Sequence, residues 1–170
     1  MKKHYEMMAA YNRWANRLLY DAASLLTDEE FGRDTGAFFA SMDGTLNHLL
    51  VADLIWMHRF TGQGELPAGL DLILHDEFDE LREAREATDE RIIEWIAGLS
   101  QHDLSGRFTY TTATDMKTVS QHLAPAMAHF FNHQTHHRGH AHMILSVLGE
   151  RPPSLDLIYF QRSAEGREFA

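Results

Sequence analysis

Pro125-Ala-Met-Ala-His129-Phe-Phe-Asn-His133-Gln-Thr-His136-His137-Arg-Gly-His140-Ala-His142-Met-Ile-Leu-Ser-Val-Leu148 is the stretch that decides the fold. Phe130, His133, His137, His140, Ile144 and Val147 step by three and four, the seam of a helix that faces a bundle core. Pro125 is tolerable only in the first turn of such a helix, Gly149 stops it, and Pro152-Pro153 prevent continuation. Imidazoles therefore occupy part of a core-facing seam. A buried imidazole without a partner costs on the order of 1–3 kcal/mol, so neighbouring ones require hydrogen-bond acceptors or a metal ion.

Six of the twelve histidines fall between His129 and His142. Residues four apart on a helix carry Cβ atoms ~5–6 Å apart on one face, so His129/His133, His133/His137 and His136/His140 could each clasp a cation. Spacing does not choose among them, and the seam alone favours His133 with His137. His48 offers a third donor. The span from Ser41 to Phe60 is so apolar that most of its circumference should be buried, and bundle interiors are where facing helices build metal sites. Three neutral imidazoles leave a divalent ion its full charge and an open position, the arrangement of catalytic rather than structural zinc. Such an ion would ionise a bound water near neutral pH, or hold an incoming thiol as the nucleophilic thiolate. The alternatives are a non-catalytic stress-response protein whose metal serves folding or sensing, and core histidines that hydrogen-bond one another. A zincin helix is excluded, because Gln134 stands where Glu is needed after His133, and no Glu-x-x-His occurs for a ferritin-like di-iron site.

Working outward, Met8, Tyr11, Ala15, Leu18, Ala22 and Leu25 form the seam of a first helix, and Ser41 to Phe60 the second. Gly62, Gly64, Pro67 and Gly69 break the pattern, so the chain to about His75 is a long crossover. A third long helix, Asp76 to Leu99, keeps a narrow seam of Phe78, Leu81, Ile92 and Trp95 among charges that are read as a solvated face. Between Gly106 and Ser120 the β-branched content and the alternation around Phe108 and Tyr110 predict a small hairpin turning near 113–115. Beyond Gly149 the tail reads as mostly irregular.

At 170 residues the chain is the size of one domain, taken as residues 1–170. It has no cysteine, which removes disulfides and thiolate ligands and leaves nitrogen and oxygen donors for any metal. A net charge of -10 without a Lys/Arg stripe argues against nucleic acid as a partner. The N-terminus lacks an apolar leader core and Asp53 interrupts the most hydrophobic stretch, Leu46 to Met57, so no membrane partner and a cytoplasmic location are expected. Asp53 itself should either accept a ligand's imidazole proton or close a buried salt bridge to Arg59 or Arg13.

Tyr11-Asn-Arg-Trp-Ala-Asn16, Leu46-Asn-His48-Leu-Leu-Val-Ala-Asp53, Asn132-His133-Gln-Thr-His136-His137-Arg-Gly139 and Pro153-Ser-Leu-Asp156-Leu-Ile-Tyr159 together resemble the DinB/YfiT-like superfamily over nearly the whole chain. The resemblance implies an all-α four-helix bundle of up-down-down-up connectivity, often dimeric, so a homodimer is expected. It implies a divalent metal held by three histidines and carries those ligands onto His48, His133 and His137. Nitrogen donors accept several transition metals, with zinc or nickel expected here. Superfamily members of known activity include transferases that join a low-molecular-weight thiol to an electrophile and a thiol-dependent isomerase. What this implies for the present chain is a metal-activated small thiol, or water, delivered to an electrophilic small-molecule substrate. One departure stands out. Members commonly show Gln after the Arg-Gly pair, and here His140 follows, placed to orient a ligand, contact a bound water or compete as a ligand.

Overall fold

The computed structural model describes residues 1–112 and 116–170. The helices are α1 (Lys2–Ala23), α2 (Asp28–Gly32), α3 (Met42–Thr61), α4 (Phe78–Gly98), α5 (Gln101–Ser105), α6 (Leu123–Val147) and α7 (Leu157–Arg162), with a 3₁₀ turn at Arg167–Phe169. Strands β1 (Arg107–Thr111) and β2 (Thr118–His122) pair antiparallel immediately before α6, with Thr109 opposite Ser120. The turn expected near 113–115 lies outside the described residues.

The helix ends follow local chemistry. Ser41 Oγ accepts the Gly44 N–H at the start of α3, and Gly62, at φ +68°, ends it. Pro125 sits in the first turn of α6. At the other end Gly149, at φ +88°, donates to Ser146 and Glu150 donates to Leu145, the paired bonds of a Schellman motif. Two short helices escape the periodicity reading because they are single turns, yet each starts on a reciprocal capping box, Thr27 with Glu30 and Ser100 with Asp103. The tail is less irregular than expected: α7 buries Phe160 against Tyr11 and Trp14 of α1. No helix among the described residues is long and apolar enough to cross a membrane.

Besides the cluster around Phe160, the described residues form two hydrocarbon clusters along the long helices. One contains Leu19, Leu46, Leu50, Leu81, Ile144 and Leu145; the other contains Tyr5, Met57, Ile92, Met127, Phe130 and Phe131. Along α1 and α6 the chain runs from the second cluster to the first, and along α3 and α4 from the first to the second. Between them every long helix contributes buried polar side chains: Asn12 and Asn16, Asp53, Arg85 and Asp89, then Gln134 and Arg138, none more than 3% exposed.

This polar layer corrects three expectations. Asp53 pairs with Arg85 at 2.8 Å rather than with Arg59 or Arg13, and Arg85 also meets Asp89 at 3.0 Å, so part of the α4 charge pattern is interior. The face of α1 turned inward includes Asn12 and Asn16, which donate to Asp89 at 3.1 Å, while Leu25 is exposed. On α6 the seam drifts likewise, with Gln134, Arg138 and Ala141 buried and Val147 exposed. The physical reason is common to all three: a satisfied polar group can occupy a core position that a hydrophobic pattern does not mark.

Arg85→Ala leaves two buried carboxylates without their cation and should destabilise the protein by about 3–5 kcal/mol, read as a lowered urea midpoint at unchanged slope. A loss under 1 kcal/mol would show that the layer is not held by this guanidinium.

Candidate metal centre

His48 projects from the second turn of α3 and is 4% exposed; His137 of α6 is buried and His133, one turn earlier, is half-buried. One ring nitrogen from each lies within 4.8 Å of the others. His48 Nδ1 stands 2.7 Å from the Leu70 carbonyl oxygen. A carbonyl only accepts, so Nδ1 carries the proton and Nε2 is left as the acceptor nitrogen of the ring. That Nε2 is 3.3 Å from His133 Nε2. For comparison, the edge of a tetrahedron with metal–nitrogen bonds of about 2.0–2.1 Å is about 3.3–3.4 Å.

Phe39, to which periodicity assigns no role, covers one side of the group. Its ring stacks on His48 with centroids 3.8 Å apart and lies 5.6 Å from His137. The turn that presents it closes through a Thr35 N–H donated to the Ala40 carbonyl, with Gly36 and Ala40 both at positive φ. Gly44 makes the approach possible, since a Cβ there would sit 2.2 Å from the Phe39 carbonyl oxygen.

Burial keeps these rings neutral. It pulls His133 down to about 4 and His137 down to about 3, with the neighbouring imidazoles adding to the effect. His48 is lowered by burial and partly restored by its bond to Leu70. His137 Nδ1 is buried with no hydrogen-bond partner. Uncharged rings, a His48 Nε2 without a proton and an unsatisfied His137 Nδ1 are a donor set that fits a divalent transition-metal ion.

His136, His137 and His140 form a second group whose ring nitrogens also lie within 4.8 Å of one another. It shares His137 with the first, comes from one helix only, and includes the exposed His136. His140 is half-buried and its Nδ1 has no partner. His129 is exposed and packs beside Trp56, 5.2 Å between centroids. Asp53 receives Gln134 Nε2 and the Arg85 ion pair, not a ring of the trio. Gln134 also donates to the Leu49 carbonyl at 3.2 Å, so the neighbour of His133 ties α6 to the neighbour of His48. Besides Phe39, sequence reading missed the Leu70 carbonyl: both lie in loops, where no periodicity announces a contact.

The DinB family model matches residues 1–168. Protein DinB of Bacillus subtilis (strain 168) is 27% identical over 166 residues, which cover 91% of this chain and 93% of that protein.

Because the unfolded chain takes up protons on these rings near pH 6.5 and the folded metal-free chain only near 4 and 3, acid favours unfolding. The contribution is whole above pH 6.5 and is lost progressively as pH falls from there towards 4. Asp53, raised by burial to about 6, acts with the opposite sign between about 6 and 3.8. The difference between wild type and His133→Asn/His137→Asn therefore isolates the imidazoles. The metal-free wild type should lose more of its urea midpoint between pH 7 and pH 5 than the double variant, and parallel curves would refute buried neutral rings.

Proposed function

This chain belongs to the DinB family, and on that premise we propose that His48, His133 and His137 hold a divalent metal, zinc or nickel, that activates a low-molecular-weight thiol for transfer to an electrophilic small molecule. The observation that carries the reading is the meeting of three neutral imidazoles from two helices. Residues 1–170 then make one four-helix-bundle domain. The order of the two hydrocarbon clusters, opposite in α1 and α6 to that in α3 and α4, supports up-down-down-up connectivity, with residues 62–77 as the crossover.

A divalent ion in this place would hold a thiol as thiolate at a pH where the free thiol is mostly protonated. The chain's own groups orient and shelter that chemistry. The Leu70 carbonyl sets the tautomer and ring plane of His48, and Phe39 keeps water from one side. Gln134, bonded to Asp53 and Leu49, holds the α6 backbone next to His133. The chain has no cysteine, so the sulfur nucleophile comes from the cosubstrate. Its sulfur–carbon bond forms as the leaving group departs with the bonding electrons, and the thiol proton passes to solvent.

Metal content of protein purified without a histidine tag is the first measurement. About one ion per chain is expected, and His48→Ala, His133→Ala and His137→Ala should each weaken binding by at least about 100-fold. Stoichiometric binding untouched by all three would remove the site. A panel of electrophiles with a small thiol then separates two roles: fold retained and turnover lost on stripping the metal marks catalysis, whereas a large fall in Tm with no thiol-dependent reaction marks a structural ion.

A further inference from the structure

Arg59, in the last turn of α3, is half-buried and has no ion-pair or hydrogen-bond partner among the described residues. Other withdrawn guanidiniums are engaged: Arg85 by Asp53 and Asp89, Arg138 by Asn12 and Asn16, Arg91 by the Gln63 carbonyl. Arg59 instead lies against two rings, with Cζ 4.8 Å from the centre of Trp56 and 4.9 Å from that of Tyr110. Cation–π contact uses the face of a guanidinium, and its N–H groups lie in the plane, so the fork stays available to an acceptor.

The space in front of it is defined. A cavity of about 320 Å³ is lined by Arg59, Trp56, Leu70, Tyr110, His129 and His133. One end is thus a ring of the imidazole trio, and Leu70 is the residue whose carbonyl holds His48. Arg59 and Tyr110 also line an adjoining groove that reaches Pro67. The guanidinium therefore stands where a molecule seated at the trio leads outward. Arg59 is eleven residues beyond His48, ~16 Å along the helix axis. Its long side chain leans back towards the N-terminus, which shortens the gap to the trio to on the order of 10 Å.

We propose that this cavity binds a small molecule carrying a carboxylate, gripped by the Arg59 fork with its other end at the His48, His133 and His137 group. The identification of the reacting end as a thiol rests on the function proposed above; the carboxylate grip does not. A carboxylate is the match rather than a phosphate because one planar fork answers one planar, singly charged anion, and among the described residues no second arginine or lysine lines the cavity. On a chain of net charge -10 an anion needs such a local cation.

The test uses the full-length cobalt-loaded protein titrated with 8-mercaptooctanoate and with 8-mercaptooctanamide, followed by the sulfur-to-cobalt charge-transfer band. Wild type should bind the acid about tenfold more tightly than the amide, a factor typical of a charge-assisted pair. Arg59→Gln should abolish the preference, and Arg59→Lys, which keeps the charge without the fork, should retain only part of it. Equal affinity for acid and amide in wild type, with the band present, overturns the carboxylate grip and leaves the metal reading standing. If neither probe produces the band, the thiol reading fails, and phenylglyoxal modification mapped at Arg59 decides the rest. Protection by octanoate but not by octanamide upholds the grip, and protection by neither overturns it.

Discussion

One guanidinium organises the interior. Arg85 lies between Asp53 and Asp89, all three almost wholly removed from water, in a layer that also contains the cation of Arg138. Each ion taken from water costs several kcal/mol, and only mutual pairing with further hydrogen bonds offsets that cost. Asn12 and Asn16 provide those bonds, accepting from Arg138 and donating to Asp89. Displacing any long helix by one turn, ~5.4 Å, would set a charge opposite hydrocarbon, so axial register is specified as well as stability.

The imidazole trio inherits that register. His48 lies five residues before Asp53 on α3, and His133 directly precedes Gln134, whose amide reaches Asp53 and the Leu49 carbonyl. Two helices locked at this layer can meet at only one height, and the rings converge there. Their neutrality follows from the same burial that makes them costly to protonate. The preparation for a cation is thus a property of the packing, extended by Phe39 on one side and the Leu70 carbonyl on another.

The long helices and the hairpin are legible because each has a periodic or punctuating signal, and the seam of α6 favours His133 with His137; His48, alone on an apolar helix, has no such signal and enters through the family resemblance. Apolar steps of three and four mark α1, α4 and α6, and near-continuous apolarity marks α3; Gly62 and Gly149 mark where α3 and α6 stop. What the pattern hid was polar and paired. Asn12, Asn16, Arg85 and Asp89 look like surface residues until their partners are known: the asparagines of α1 meet Asp89 of α4 across more than 70 positions, and Arg85 meets Asp53 of α3. Asp53 stands out as a charge in an apolar helix, but a lone sequence offers several arginines and no distances, and the partner is Arg85. Phe39 and Leu70 sit in loops, where contact is a matter of tertiary closure rather than spacing.

The all-nitrogen character of the trio, in a chain without a single cysteine, has a consequence for sensitivity to thiol oxidants. Zinc centres built on sulfur eject their ion when the ligands are oxidised to disulfide or sulfenic acid. Imidazole offers no such release valve, and no neighbouring sulfhydryl can cross-link this fold. Loss of an ion by the thiol-to-disulfide route is therefore closed to a centre built on these rings.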